Sequence, residues 1–117
     1  GLYHRENGPA IEYADGTKEW YKNGQLHRED GPAVKLNNGS TEWWVNGRRH
    51  RKDNPAVEVF DGFKEWWIDG GYHREDGPAV EYASGKKEWW INNKCHGYNT
   101  KFTNESWRRF IKTLIFS

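Results

Sequence analysis

One spacing constrains this chain more than any other property. A 23-residue motif recurs without insertion or deletion, in units that begin at His4, His27, His50 and His73 and together cover 4–95. Trp20, Trp43, Trp66 and Trp89 are equivalent, as are Pro9, Pro32, Pro55 and Pro78, and Gly16, Gly39, Gly62 and Gly85. A period of this length marks a repeat array, where each unit buries its apolar surface only against its neighbours. A fifth unit opens at His96-Gly97 and dissolves, so 96–117 reads as a degenerate unit followed by an end cap. Residues 1–3, Gly1-Leu2-Tyr3, read as the tail of a preceding unit.

Each unit reads as a β-hairpin. In the first, Ala10–Ala14 and Thr17–Lys22 are short runs rich in aromatic and β-branched residues. Asp15-Gly16 separates them, and Asn23-Gly24 closes the unit. Both dipeptides signal two-residue hairpin turns, because both central residues need a positive φ. The Gly-Pro steps (Gly8-Pro9, Gly31-Pro32, Gly77-Pro78) bend the chain or start a strand, since proline has no N–H to give a ladder.

Two-residue turns fix a register. Ile11 is expected opposite Trp20, Glu12 opposite Glu19, Lys35 opposite Glu42, Glu19 opposite Arg28 and Trp20 opposite His27. Opposed residues share a face. One face then carries Ile11, Tyr13, Trp20 and His27, and the other Ala10, Glu12, Glu19, Tyr21, Leu26 and Arg28. On the second face Glu and Arg form a ladder that sets register more than stability.

Large rings fall on both faces. Trp20, Trp43, Trp66 and Trp89 are read as core, stacked on Ile11, Val34, Val57 and Val80. Tyr21, Trp44, Trp67 and Trp90 sit beside charge and form a candidate binding groove, with Arg28, Arg51 and Arg74 as its cations. At about 4.8 Å per strand, equivalent rings stand about 10 Å apart and four units make a curved sheet about 40 Å long.

Composition agrees with a folded but thinly cored chain. Leu, Ile, Val and Phe together number only nineteen, whereas eight Trp lift the aromatic share to 16%. Eighteen basic and seventeen acidic residues nearly cancel, so duplex nucleic acid is not an expected partner. No apolar run reaches membrane-spanning length and the N-terminus lacks a signal-peptide pattern, so a membrane is not expected either. The single cysteine, Cys95, rules out an internal disulfide framework and points to a reducing cytoplasm.

The tail is of another kind. Trp107, Phe110, Ile111, Leu114 and Ile115 fall on one stripe of an amphipathic helix, with Thr103 or Asn104 as N-cap and Arg108, Arg109 and Lys112 off the stripe. Such a helix covers the last apolar surface of the array.

Little in the chain suggests catalysis. The five His recur one unit apart, too far to share a metal ion. The Glu12–Glu19 pair recurs in most units, whereas an active site occurs once. No phosphate loop, nucleophile elbow or zinc-protease motif is present. No catalytic residue, metal or cofactor is therefore expected. The third unit is the most deviant, at Lys52, Asn54 and Phe63, and none of these is a convincing catalytic group.

The pattern Trp-x-x-Asn-Gly-x-x-His, as in Trp20 to His27, with Asp-Gly elsewhere in each unit, resembles the MORN repeat over 4–95. MORN units usually carry Gly after the His, and only His96-Gly97 does so here. The His-Arg-Glu-Asp-Gly-Pro-Ala signature is similar to one in phage and giant-virus proteins of unassigned function. The resemblance implies an all-β, single-layer, twisted antiparallel sheet of successive hairpins with a C-terminal capping helix. It also implies a non-catalytic scaffold or protein-binding role. A protein partner is the first expectation. A small nucleotide, held between Arg and Trp in an anti-defence protein of the host cytoplasm, is the second. Self-association through an open sheet edge at Leu2–Arg5 is the third.

Overall fold

The computed structural model describes residue 4 and residues 8–116, with backbone alone for 115–116. The two turns of each unit build the architecture, and they differ. At Asp15-Gly16 the Gly16 N–H donates to the Tyr13 carbonyl at 3.0 Å and the Tyr13 N–H to the Thr17 carbonyl at 2.8 Å. Only Gly16 is left-handed, at φ 94°, and the Asp15 carboxylate accepts the Thr17 N–H at 2.9 Å. This is a type I turn closed by a left-handed glycine, a three-residue loop. At Asn23-Gly24 both residues are left-handed, at φ 51° and 81°. That is the two-residue type I′ turn.

The extra loop residue moves the first ladder by one. Ile11 pairs with Glu19 and Glu12 with Lys18. In the second unit Val34 pairs with Glu42 and Lys35 with Thr41. The expected pairs Ile11–Trp20, Glu12–Glu19 and Lys35–Glu42 are therefore corrected. A slip of one residue exchanges the faces of everything beyond it. Ile11, Val34, Val57 and Val80 share their face with Glu19, Glu42, Glu65 and Glu88, while Glu12, Lys18, Lys35 and their equivalents line the other. Glu19 stands between Ile11 and Val34, so the expected Glu19–Arg28 pair does not form. The second register holds, with Tyr21 opposite Leu26 and the His27 N–H on the Trp20 carbonyl at 3.0 Å.

Trp20 is where the two ladders part. Its N–H donates to Ala33 at 2.8 Å in one sheet, while its carbonyl serves His27 in the other. Trp43 and Trp66 do the same, through Ala56 and His50 and through Ala79 and His73. The expected strand Thr17–Lys22 is thus split into Lys18–Glu19 and Tyr21–Lys22. The described residues form one nine-stranded antiparallel sheet in sequence order and three separate hairpins beside it. Neighbouring hairpins are tied by bonds such as Arg28 N–H to Trp44 O at 3.0 Å and Gly47 N–H to Leu26 O at 2.9 Å. The molecule measures 47 × 31 × 18 Å, and its radius of gyration of 16.0 Å exceeds the roughly 13 Å of a compact chain this long.

At the C-terminal end the hairpin stays within the large sheet. Lys87–Ile91 pairs with Lys94–Tyr98 throughout, with a bulge between Trp89 and Trp90. Helix α1, Asn104–Phe116, then folds back. Thr103 caps it, its hydroxyl accepting the Ser106 N–H at 3.0 Å while its own N–H donates to the Ser106 hydroxyl at 2.9 Å. Trp107 and Ile111 pack on Trp89 and Ile91, joined by Phe102 and Phe110. Leu114, on the expected stripe, is exposed instead. Elsewhere the buried apolar residues are the Ala-Val steps Ala33-Val34, Ala56-Val57 and Ala79-Val80, together with Trp66. Among the described residues no helix is long and apolar enough to cross a membrane.

Candidate binding surface

The rings expected in the groove, Tyr21, Trp44, Trp67 and Trp90, lie on the first strands of the hairpins and are all half-buried. Each is tethered to the glutamate two residues before it. Trp44, Trp67 and Trp90 donate their indole N–H to Glu42, Glu65 and Glu88 at 2.9, 3.1 and 2.9 Å, and the Tyr21 hydroxyl reaches Glu19 at 3.3 Å. These bonds fix the ring orientations and leave their faces for stacking.

What stacks between them is the opposing strand. Leu26, Arg49, Tyr72 and Cys95 stand opposite Tyr21, Trp44, Trp67 and Trp90. The Arg49 guanidinium lies 5.1 Å from the Trp44 ring centre and 5.3 Å from that of Trp67. Tyr72 continues the stack, 4.1 Å from Trp67 and 4.9 Å from Trp90. The steps match the spacing of neighbouring strands, which is why the stack runs unbroken across three units. The Tyr72 hydroxyl donates to buried Glu65 at 2.6 Å. Burial, then that bond, raises the Tyr72 hydroxyl well above the ordinary tyrosine value, so it stays a donor. Arg49 is less well served, for its Nη2 sits 3.5 Å from Glu42 and its shielded Nε has no partner.

The expected cations are elsewhere. Arg28, Arg51 and Arg74 lie over Trp20, Trp43 and Trp66, 4.0, 3.9 and 3.8 Å from the ring centres. Each donates through Nη1 to a proline carbonyl, Pro32, Pro55 or Pro78, at 3.1–3.2 Å. Arg51 and Arg74 also pair with Glu58 and Glu81, at 3.3 and 3.0 Å. Burial pulls the Arg74 guanidinium below its usual pKa, and Glu81 opposes the shift. The structure therefore divides the seven expected residues. Four rings share one surface, while three arginines clamp the other tryptophan row. Arg49, Tyr72 and Leu26 take the places assigned to the arginines. The two-residue turn already placed them opposite the rings, so the signal was present.

The histidines join hairpins. Nδ1 of His27, His50 and His73 accepts the N–H of Asn46, Asp69 and Asn92, each at 3.0 Å and each in the turn of the following hairpin. His96 has no such turn ahead and instead packs against Trp107 and Phe110. Among the described residues no group of three or more His, Cys, Asp or Glu is placed to hold a metal ion.

Further aromatic side chains lie beside the first turns of the first, third and fourth units. Tyr13, Phe60 and Tyr98 are 48, 70 and 62% exposed. The Tyr82 hydroxyl donates to Glu88 at 2.5 Å, a bond that pushes its pKa up to about 12. Tyr98 is also shifted upward, first by its hydrogen bond with Cys95. The expected self-association edge, Leu2–Arg5, lies outside the described residues apart from His4. The chain matches no protein-family model, no curated protein and no solved structure.

Proposed function

We propose that the chain is a non-catalytic protein-binding module, a MORN-like single-layer array that presents its outer aromatic row to a partner. The observation that carries this reading is the unbroken stack Trp44–Arg49–Trp67–Tyr72–Trp90, held open on a thin sheet. Trp, Tyr and Arg are the side chains that dominate protein interfaces, because rigid rings bury large areas at small entropic cost. Here they are pre-oriented by glutamates, which lowers the cost of ordering on binding. The nucleotide reading placed Arg28, Arg51 and Arg74 beside the groove rings, but the guanidinium beside Trp67 is that of Arg49.

Native mass spectrometry after incubation with a cell extract tests the module. The wild-type chain is expected to gain the mass of one defined protein, and Trp67→Ala to lose it while still folded. A complex that survives Trp44→Ala and Trp67→Ala alike sinks the proposal.

A further inference from the structure

Repeat units that differ at one place invite the question of what that place gains. The turn of the fourth unit is such a place. Asp15, Asn38 and Asp61 accept the N–H two residues on, at 2.9 Å each. The fourth unit has Ser84 there, and its hydroxyl reaches the Lys86 N–H only at 3.5 Å. Lys86 itself stands where the other units have Thr17, Ser40 and Phe63. The turn has exchanged a good acceptor for a poor one and gained a cation, a loss of local consistency that marks functional positions.

A cleft of about 490 Å³ opens at this turn, lined by Tyr82, Ser84, Lys86, Lys87, Tyr98 and Asn99 above Glu88. Its size suits a small organic ligand. Neither lysine is ion-paired among the described residues. The one carboxylate, Glu88, is engaged on both oxygens, by Trp90 and by Tyr82. Tyr98 exposes most of its ring, and Tyr82 is 38% exposed. The charge of the whole chain leans the same way. Residues 1–83 hold eleven basic against fifteen acidic groups, and 84–117 hold seven against two. A near-neutral total thus conceals a basic C-terminal segment, which includes this cleft's lysines.

We propose that the cleft binds an organic anion of the mononucleotide class, its phosphate on Lys86 and its flat ring against Tyr98 and Tyr82. The site is independent of the outer aromatic row and survives that proposal's failure. Adenosine monophosphate titrated into the intact chain is the probe, followed by NMR at the Tyr98 and Lys86 signals, with adenosine and inorganic phosphate alongside. Adenosine monophosphate is expected to saturate these signals with Kd below about 1 mM, and each fragment alone to bind at least about tenfold more weakly. Lys86→Thr, which installs the first unit's residue, is expected to weaken binding about tenfold. Lys18→Thr, the same charge change outside the cleft, is expected to leave it unchanged. Saturation elsewhere on the chain, equal binding of phosphate alone, or equal loss in both lysine variants overturns the proposal.

Discussion

Trp66 and Trp67 are adjacent in sequence and opposite in circumstance. Trp66 is 8% exposed, covered by the Arg74 guanidinium from the start of the following unit, and its backbone N–H is committed to Ala79. Trp67 is half-buried, tethered edge-on by Glu65 and completed only by its neighbours Arg49 and Tyr72. Each inner tryptophan is lidded by one arginine from the start of the following unit, whereas the outer rings stack into one line that runs across units. The C-terminal end makes the same point. At the position of Arg28, Arg51 and Arg74 the last unit has Gly97, where a Cβ would meet the Lys101 side chain. Trp107 of the helix covers Trp89 instead, at 5.6 Å between ring centres, and donates its indole N–H to the Arg74 carbonyl at 2.7 Å. An inner tryptophan needs a lid, and the chain supplies either a guanidinium or another indole.

The sharpest break of this comparison is to delete each ring in turn. Trp66→Ala is expected to cost roughly 3–5 kcal/mol, because a covered ring leaves a cavity that a thin sheet cannot close. Trp67→Ala removes a partly wet ring and is expected to cost roughly 1–2 kcal/mol. Urea unfolding of both variants decides the matter, and equal losses would mean that the two rows share one core.

The hairpins, the helix and the placing of Trp20 opposite His27 were all legible in the sequence, because each rests on local chemistry. The face of each ring was not. Asp15-Gly16 and Asn23-Gly24 look alike as dipeptides, yet an aspartate that accepts the Thr17 N–H keeps its own φ negative and lengthens the loop by one residue. That one residue put Trp20 opposite the wrong partner and moved Arg28, Arg51 and Arg74 away from the row they were assigned to. The split at Trp20 was equally hidden, since it depends on Ala33 of the next unit. Ser84 stood out only once the other three turns were seen to share an acceptor.

The two arginine environments offer a finer test. Arg74→Leu removes a stacked guanidinium with bonds to Pro78 and Glu81, and is expected to cost roughly 1–3 kcal/mol. Arg49→Leu installs the residue that the first unit carries at Leu26 and removes an N–H that has no partner. Its expected effect on stability is below about 1 kcal/mol in either direction. A comparable loss in both would show that Arg49 is a clamp like the others.

The smallest effect concerns the histidine at the end of the inner row. Burial, with Lys94 and Lys101 nearby, lowers the pKa of His96, which packs against Trp107 and Phe110. The folded state therefore resists its protonation, while the unfolded chain takes the proton near pH 6.5. This contribution leaves stability untouched above that pH and lowers it as pH falls toward the folded-state value. His96→Gln keeps a polar side chain but cannot titrate. Between pH 7.5 and 5.5 the urea midpoint of the wild type is expected to fall further than that of the variant. Parallel declines would mean that the helix covers Trp89 without enclosing His96, and that the last lid is looser than the arginines it replaces.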